Sequence, residues 1–168
     1  MATYKEIRGV NIQSLESDPT TVEGEVWYNA STSLLKVYAA TGSWASGGNL
    51  NTARQAGSAA GTQTAALVIG GIDSGQKDEV ESYDGSSWTE IADINTARGN
   101  SGSGGTSTAA IIFGGQGVDD ETEIWNGTSW TEVANLNTAR KMGGGNGTTT
   151  SALAYGGGPA QKDEVESW

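Results

Sequence analysis

The feature that most constrains this chain is an internal repeat. Residues 94–135 read INTARGNSGSGGTSTAAIIFGGQGVDDETEIWNGTSWTEVAN, and edited copies of this text occupy 50–93 and 136–168. An Asn-Thr-Ala-Arg motif ends at Arg54, Arg98 and Arg140. A di-glycine recurs at Gly70-Gly71, Gly114-Gly115 and Gly156-Gly157. Because these landmarks are offset by 44 and then 42 residues, the period predicts a solenoid, a propeller or an array.

Each repeat has the pattern of four short strands. The Ala/Gly/Ser-rich stretch after each motif arginine predicts the first strand. The second is a run of four apolar residues closed by the di-glycine, which is too short for a helix. The third ends in an aromatic residue, and a tight turn leads to a tryptophan that begins the fourth. The third-strand aromatics are Tyr83, Trp125 and Trp168, and the fourth-strand tryptophans are Trp88 and Trp130. Four short strands are the content of one propeller blade.

The order of di-glycine, aromatic and tryptophan resembles the kelch repeat of β-propellers, over residues 34–168. This resemblance implies an all-β fold with about three kelch-type blades, incomplete, after a short N-terminal β-hairpin and anchoring arm. We expect an arm and hairpin at 1–33. The repeats then comprise a half blade at 34–49, repeats at 50–93 and 94–135, and a truncated repeat at 136–168.

The half blade is predicted from Trp44, which lies 44 residues before Trp88. Closed propellers have about 4 to 8 blades, so three repeats do not close. Three arrangements remain open: a natural chain that continues past Trp168, a ring assembled from several chains, or an open stack capped by partners.

Two stretches resemble phage proteins. Residues 125–140 resemble kelch-like virion proteins of marine tailed bacteriophages. A hairpin of 26–28 with 34–38 resembles a Gly-x-x-Trp-Tyr-Asn hairpin near the anchoring ends of virion proteins. The resemblance implies a non-enzymatic virion structural protein, a tail fibre, appendage or decoration, assembled in the host cytoplasm. Residues 1–33 are then the attachment arm and hairpin; for residues 1–23, a frayed terminus is the alternative.

The resemblance also implies the partners: other virion proteins, copies of the same chain with a trimer as the predicted state, and a host-surface glycan as a candidate receptor. Unpaired strand edges at both ends of the repeats would recruit other chains. The alternative function is a soluble carbohydrate- or protein-binding β-propeller that is not associated with virions.

Composition limits the chemistry. The chain has neither cysteine nor histidine, so disulfides, thiolate metal sites and the commonest general base are excluded. A net charge of −11 argues against nucleic acid and anionic lipid as partners. No apolar stretch approaches the roughly 20 residues of a membrane span. We therefore predict no enzyme activity, no cofactor, no metal and no membrane partner.

Two sets of polar residues remain as candidates. The motif arginines recur with Glu81, Glu123 and Glu166. They either line one mouth of a propeller and bind a carboxylate or a sugar, or pair with these glutamates as structural elements. The acidic stretch 119–121, with Asp73 in the previous repeat, either holds Ca²⁺ or is a solvated loop. The periodic aromatics either stack on sugars or pack between blades.

Overall fold

The computed structural model describes residues 12–19, 26–37 and 43–168, and all regular secondary structure in these ranges is β-strand. The all-β prediction is confirmed for this part of the chain. It also contains no helix long and apolar enough to cross a membrane. The chain divides into two compact units, residues 1–46 and 47–168. Residues 1–11, 20–25 and 38–42, and with them most of the predicted arm, lie outside the described residues.

The N-terminal unit contains one sheet of three strands, β1 (Gln13–Leu15), β2 (Val26–Asn29) and β3 (Leu34–Val37). β2 and β3 form the predicted antiparallel hairpin, whereas β1 pairs with β2 in parallel. The carboxylate of Asp18 organises this sheet. It accepts hydrogen bonds from Trp27 Nε1 at 3.2 Å and Asn29 Nδ2 at 2.7 Å, and it pairs with Lys36 Nζ at 2.7 Å. Trp27 and Asn29 are consequently buried.

The second unit contains three separate antiparallel sheets, one for each repeat. The first sheet comprises β4 (Ser58–Thr62), β5 (Ala65–Ile72), β6 (Gln76–Tyr83) and β7 (Trp88–Ile91). The middle sheet comprises β8 (Gly102–Thr106), β9 (Ala109–Phe113), β10 (Thr122–Trp125) and β11 (Trp130–Glu132). The third sheet comprises β12 (Gly144–Thr148), β13 (Ser151–Tyr155) and β14 (Val165–Ser167). In all three, strands that follow one another in the sequence are neighbours in the sheet.

The first strands of the three sheets lie side by side, β4 next to β8 and β8 next to β12. Ser58 Oγ donates to the Ser101 carbonyl at 2.8 Å, and Ser103 Oγ donates to the Ala59 carbonyl at 2.7 Å. A Cβ on Gly104 would lie 3.0 Å from the backbone of Asn146 and Gly147 in β12. The Gly/Ser-rich composition of these strands therefore allows the backbones to approach closely.

Two apolar clusters join the sheets face to face. In the first, Leu67 and Ile69 of β5 pack with Ala110 and Ile112 of β9. In the second, the opposite face of β9 packs on the third sheet; it contains Ile111, Phe113, Ala152 and Ala154. Side chains alternate between the two faces along a strand, and both faces of β9 are covered by a neighbouring sheet. β9 is therefore apolar along its whole length.

Backbone hydrogen bonds also link one repeat to the next. The N–H of Gly71 donates to the Arg98 carbonyl at 2.9 Å, and the N–H of Gly115 donates to the Arg140 carbonyl at 3.0 Å. Two residues after each motif arginine, the backbone takes a left-handed conformation at Ala56, Asn100 and Met142. There, Asn100 N–H donates to the Ala56 carbonyl at 2.9 Å, and Met142 N–H donates to the Asn100 carbonyl at 2.7 Å.

The predicted half blade at 34–49 differs from the structure. Leu34–Val37 pairs with β2 in the N-terminal sheet, and residues 43–57 contain no strand. The division between the units falls after residue 46, whereas the sequence placed it after residue 33. Trp44 lies 44 residues before Trp88, at the same position in the repeat, but its side chain is fully exposed. No described strand of its own unit pairs with the segment that contains Trp44.

Candidate functional site

The recurring Asn-Thr-Ala-Arg motif wraps around a glutamate, and the middle repeat shows the arrangement. The Glu123 carboxylate, on β10, accepts hydrogen bonds from Asn95 N–H at 2.7 Å, Asn95 Nδ2 at 2.8 Å and Thr96 N–H at 3.3 Å. Arg98 Nη2 lies 2.5 Å from Glu123 Oε1. The side chains of Arg98 and Glu123 are both 0% exposed, so the motif satisfies a charge pair that is removed from solvent.

The remaining donors of Arg98 are also used. Its Nε donates to the Thr96 carbonyl at 3.1 Å, and its Nη1 donates to the Glu121 carbonyl at 2.9 Å. Burial lowers the pKa of Arg98, and the negative charge of Glu123 opposes that change. A guanidinium remains protonated in proteins, so the fork is a fixed positive charge that joins the motif, β10 and the loop before β10.

The outer repeats have the same arrangement. Arg54 pairs with Glu81 and also donates to the Gly70 and Glu79 carbonyls, at 3.2 and 2.7 Å. Arg140 pairs with Glu166 at 2.5 Å and donates to the corresponding carbonyls, those of Gly156 and Glu164. The sequence left open a ligand-binding ring of arginines or a structural pairing. The geometry is that of the structural pairing, since the three arginine side chains are at most 2% exposed.

The acidic stretch 119–121 belongs to a loop whose backbone joins the repeats. The Asp119 carbonyl accepts the Arg140 N–H at 2.5 Å, and the Asp120 carbonyl accepts the Leu136 N–H at 2.9 Å. Asp73 pairs with Lys77 at 3.0 Å, and hydrogen bonds from Lys77 and Ser74 hold its pKa well below the usual range. In the described ranges, no group of three or more acidic side chains could hold a metal ion.

The aromatics at the ends of the third and fourth strands form pairs. The rings of Tyr83 and Trp88 are 4.8 Å apart, and those of Trp125 and Trp130 are 5.4 Å apart. Trp130 is buried, and its Nε1 donates to the Ala92 carbonyl of the preceding repeat at 3.1 Å. Trp88, at the same position of the first repeat, is only half-buried, since no sheet of its unit precedes it.

The surface that differs most between repeats is formed by the loops between the second and third strands. We call residues 73–75, 114–121 and 156–164 the loop surface. Each loop begins at or after a di-glycine whose positive φ angles redirect the chain. A Cβ on Gly70 would overlap the Arg98 carbonyl, so the close approach of the next repeat also requires glycine there. The loops differ in length and sequence, whereas an Arg–Glu pair recurs in each repeat.

Comparison with known proteins gives a likeness of fold. A solved structure of the protein YjhT superimposes with a TM-score of 0.57 at 16% sequence identity, covering 84% of this chain. The chain spans 47% of the length of that protein. No family model matches the chain, and no curated protein matches it. At this identity, the likeness is evidence of fold alone.

Proposed function

We propose that this chain is a non-enzymatic structural component of a tailed-phage particle, whose repeats are kelch-type propeller blades that present the loop surface to the host. One observation carries the proposal: an Arg–Glu pair recurs three times, with each arginine side chain at most 2% exposed, while the loops above it differ in length. A constant scaffold with variable loops is the arrangement in which loops take on recognition. A host-surface glycan is the proposed receptor class.

The N-terminal sheet supports a separate attachment role. It is a compact unit of its own, and its edge strand β3 exposes large apolar side chains. Leu34, Leu35 and Val37 are 56%, 61% and 63% exposed. Apolar groups concentrated on an edge strand are a surface for pairing with another chain. Attachment to other virion proteins, and assembly of copies into a trimer, are therefore assigned to this unit.

The test uses phage particles that carry the full chain, a chain without residues 1–46, or a Leu35→Ser variant. Both changes are expected to lower the copy number per particle, measured by quantitative mass spectrometry of purified virions. A matched control replaces the exposed residues 159–161 with Gly-Ser-Gly. It should keep full copy number but reduce adsorption to host cells.

Full copy number without residues 1–46 would move attachment into the repeats. Absence of the unaltered chain from purified virions would contradict the virion role and favour the soluble binding propeller. Light scattering of the purified chain tests the trimer separately, because a stable monomer at micromolar concentration contradicts it.

A further inference from the structure

The tripeptide Asn-Gly-Thr occurs at residues 126–128 and again at 146–148, in two different structural settings. The first copy begins the tight turn between β10 and β11, where Asn126 and Gly127 are exposed. The second copy lies inside β12. An asparagine followed by glycine is a reactive pair, because glycine has no side chain to keep its backbone nitrogen away from the asparagine amide. The chain therefore holds the same reactive group in two folded environments.

The turn at Asn126 places hydrogen-bond donors on the atom where charge would develop. Asn126 Oδ1 accepts the backbone N–H groups of Thr128 and Ser129, each at 2.9 Å. This oxygen becomes an oxyanion when a nucleophile adds to Cγ, and two fixed backbone donors stabilise such a charge. Asn126 Nδ2 donates to Ser129 Oγ at 3.3 Å, so a hydroxyl group lies beside the nitrogen that would leave.

The strand around Asn146 restrains the second copy. Asn146 and Gly147 are paired with Leu153 and Ala152 of β13. The first strand of the middle sheet also lies against this peptide, since a Cβ on Gly104 would be 3.0 Å from the Asn146 carbonyl carbon and the Gly147 nitrogen. Bringing the Gly147 nitrogen to the side chain of Asn146 therefore requires local opening of the sheet, which lowers the population able to react.

We propose that Asn126 is a site of spontaneous deamidation in the folded chain, with water as the co-reactant. The Gly127 nitrogen forms a bond to Asn126 Cγ and the Cγ–Nδ2 bond breaks. The proton of the Gly127 N–H leaves with the amide nitrogen as ammonia. Water then opens the cyclic imide at one of its two carbonyls, which gives aspartate or isoaspartate.

The first repeat shows that the aspartate product fits this turn. Asp84 stands at the equivalent position, and its carboxylate accepts the N–H groups of Ser86 and Ser87, each at 2.8 Å. Conversion to aspartate thus keeps the turn and adds one negative charge. Isoaspartate instead adds a methylene to the main chain of the turn, immediately before the buried Trp130 that packs on Trp125. The two products are expected to have opposite effects on stability.

The experiment incubates the 168-residue chain in mildly alkaline buffer, folded in one arm and unfolded in urea in the other. Trypsin cleaves at Arg98, Arg140, Lys141 and Lys162, so the two sites fall in separate peptides, 99–140 and 142–162. Mass spectrometry with fragmentation then follows each site. In the folded chain Asn126 should react at least about tenfold faster than Asn146, a difference of about 1.4 kcal/mol in barrier. In urea the two rates should converge, because the tripeptides are identical.

Two variants complete the test. Asn126→Gln lengthens the side chain and disfavours the five-membered imide; it should abolish conversion at this position and leave the rate at Asn146 unchanged. Asn126→Asp reproduces the aspartate product and should melt no lower than the unaltered chain, whereas a lower melting temperature would contradict the fit of that product.

Equal rates at the two asparagines in the folded chain would overturn the proposal, and that result does not depend on how any variant folds. A rate difference that persisted in urea would also overturn it, because flanking sequence rather than the turn would then determine reactivity.

Discussion

The middle and third sheets have nearly the same strands but different surroundings. Phe113 in β9 is 4% exposed, and Tyr155, at the same position in β13, is 42% exposed. The neighbouring pair, Ile111 and Leu153, is 1% and 43% exposed. Among the described residues, the middle sheet has a sheet on each face, whereas the third sheet has one only on the face of Ala152 and Ala154. The burial of a side chain therefore depends more on which sheets lie beside its own sheet than on its position within the repeat.

The ion pairs follow the same rule. Arg98 and Glu123 in the middle repeat are both 0% exposed, but Glu166 in the third repeat is 14% exposed beside Arg140. Burial acts to raise the pKa of Glu166, but hydrogen bonds from Asn137, Arg140 and Thr138 outweigh it and hold the pKa below its usual value. The same pair is thus enclosed in one repeat and partly solvated in the next.

The largest difference in unfolding free energy between the middle and third repeats is expected when their motif arginines are replaced. Arg98→Met leaves the Glu123 carboxylate buried without its cation and should lower the free energy of unfolding by about 3–5 kcal/mol. Arg140→Met should cost about 1–2 kcal/mol less, because water reaches Glu166. Urea denaturation measures both. The double variant Arg98→Met, Glu123→Leu should recover much of the loss, and equal costs for the two single variants would contradict the comparison.

A smaller effect is expected from the aromatic residues of the second strands. Phe113→Ala opens a cavity between the middle and third sheets and should cost about 3 kcal/mol. Tyr155→Ala, at the equivalent exposed position, should cost less than about 1 kcal/mol. Thermal unfolding of the two variants under one buffer condition measures the difference. A cost for Tyr155→Ala that matched Phe113→Ala would mean that the outer face of the third sheet is covered.

The smallest effect concerns the turns before the fourth strands. Asp84 accepts the N–H groups of Ser87 and Ser86, which lower its pKa from 3.8 to about 2. A carboxyl with a lower pKa in the folded state stabilises above its unfolded pKa, and that contribution is lost as pH falls from about 4 to 2. Asn126, the middle-repeat equivalent, accepts the same bonds without a charge. Asp84→Asn should therefore have a lower melting temperature at pH 7 and converge with the unaltered chain near pH 2; an unchanged gap at pH 2 would refute this.

Local sequence patterns predicted the strands but not their surroundings. The apolar runs, di-glycines and Asp-Gly or Asn-Gly turns each act within a few residues, so the strands of the three repeats could be placed. The parallel pairing of β1 with β2 joins distant residues across a linker, and no local pattern specifies it. Likewise, the different burial of Trp88 and Trp130 depends on which sheets lie beside them.

The Arg–Glu pairing could be identified as one of two options, because both residues recur with the period. The hydrogen bonds that Asn95 and Thr96 donate to Glu123 could not be predicted, because they depend on the backbone conformation of the motif. The left-handed residues Ala56, Asn100 and Met142 share no residue type, so no sequence pattern predicts their backbone conformation.

The backbone bonds between repeats have an evolutionary consequence. Gly71 to Arg98 and Gly115 to Arg140 are joined through main-chain atoms, so the junction between two repeats depends little on which side chains their loops carry. Duplication or loss of one whole repeat in the gene would recreate an equivalent junction, since each unit interacts mainly with its neighbours. Loop sequences can then diverge independently in each copy, and recombination of whole repeats can exchange loops without redesigning the fit between repeats.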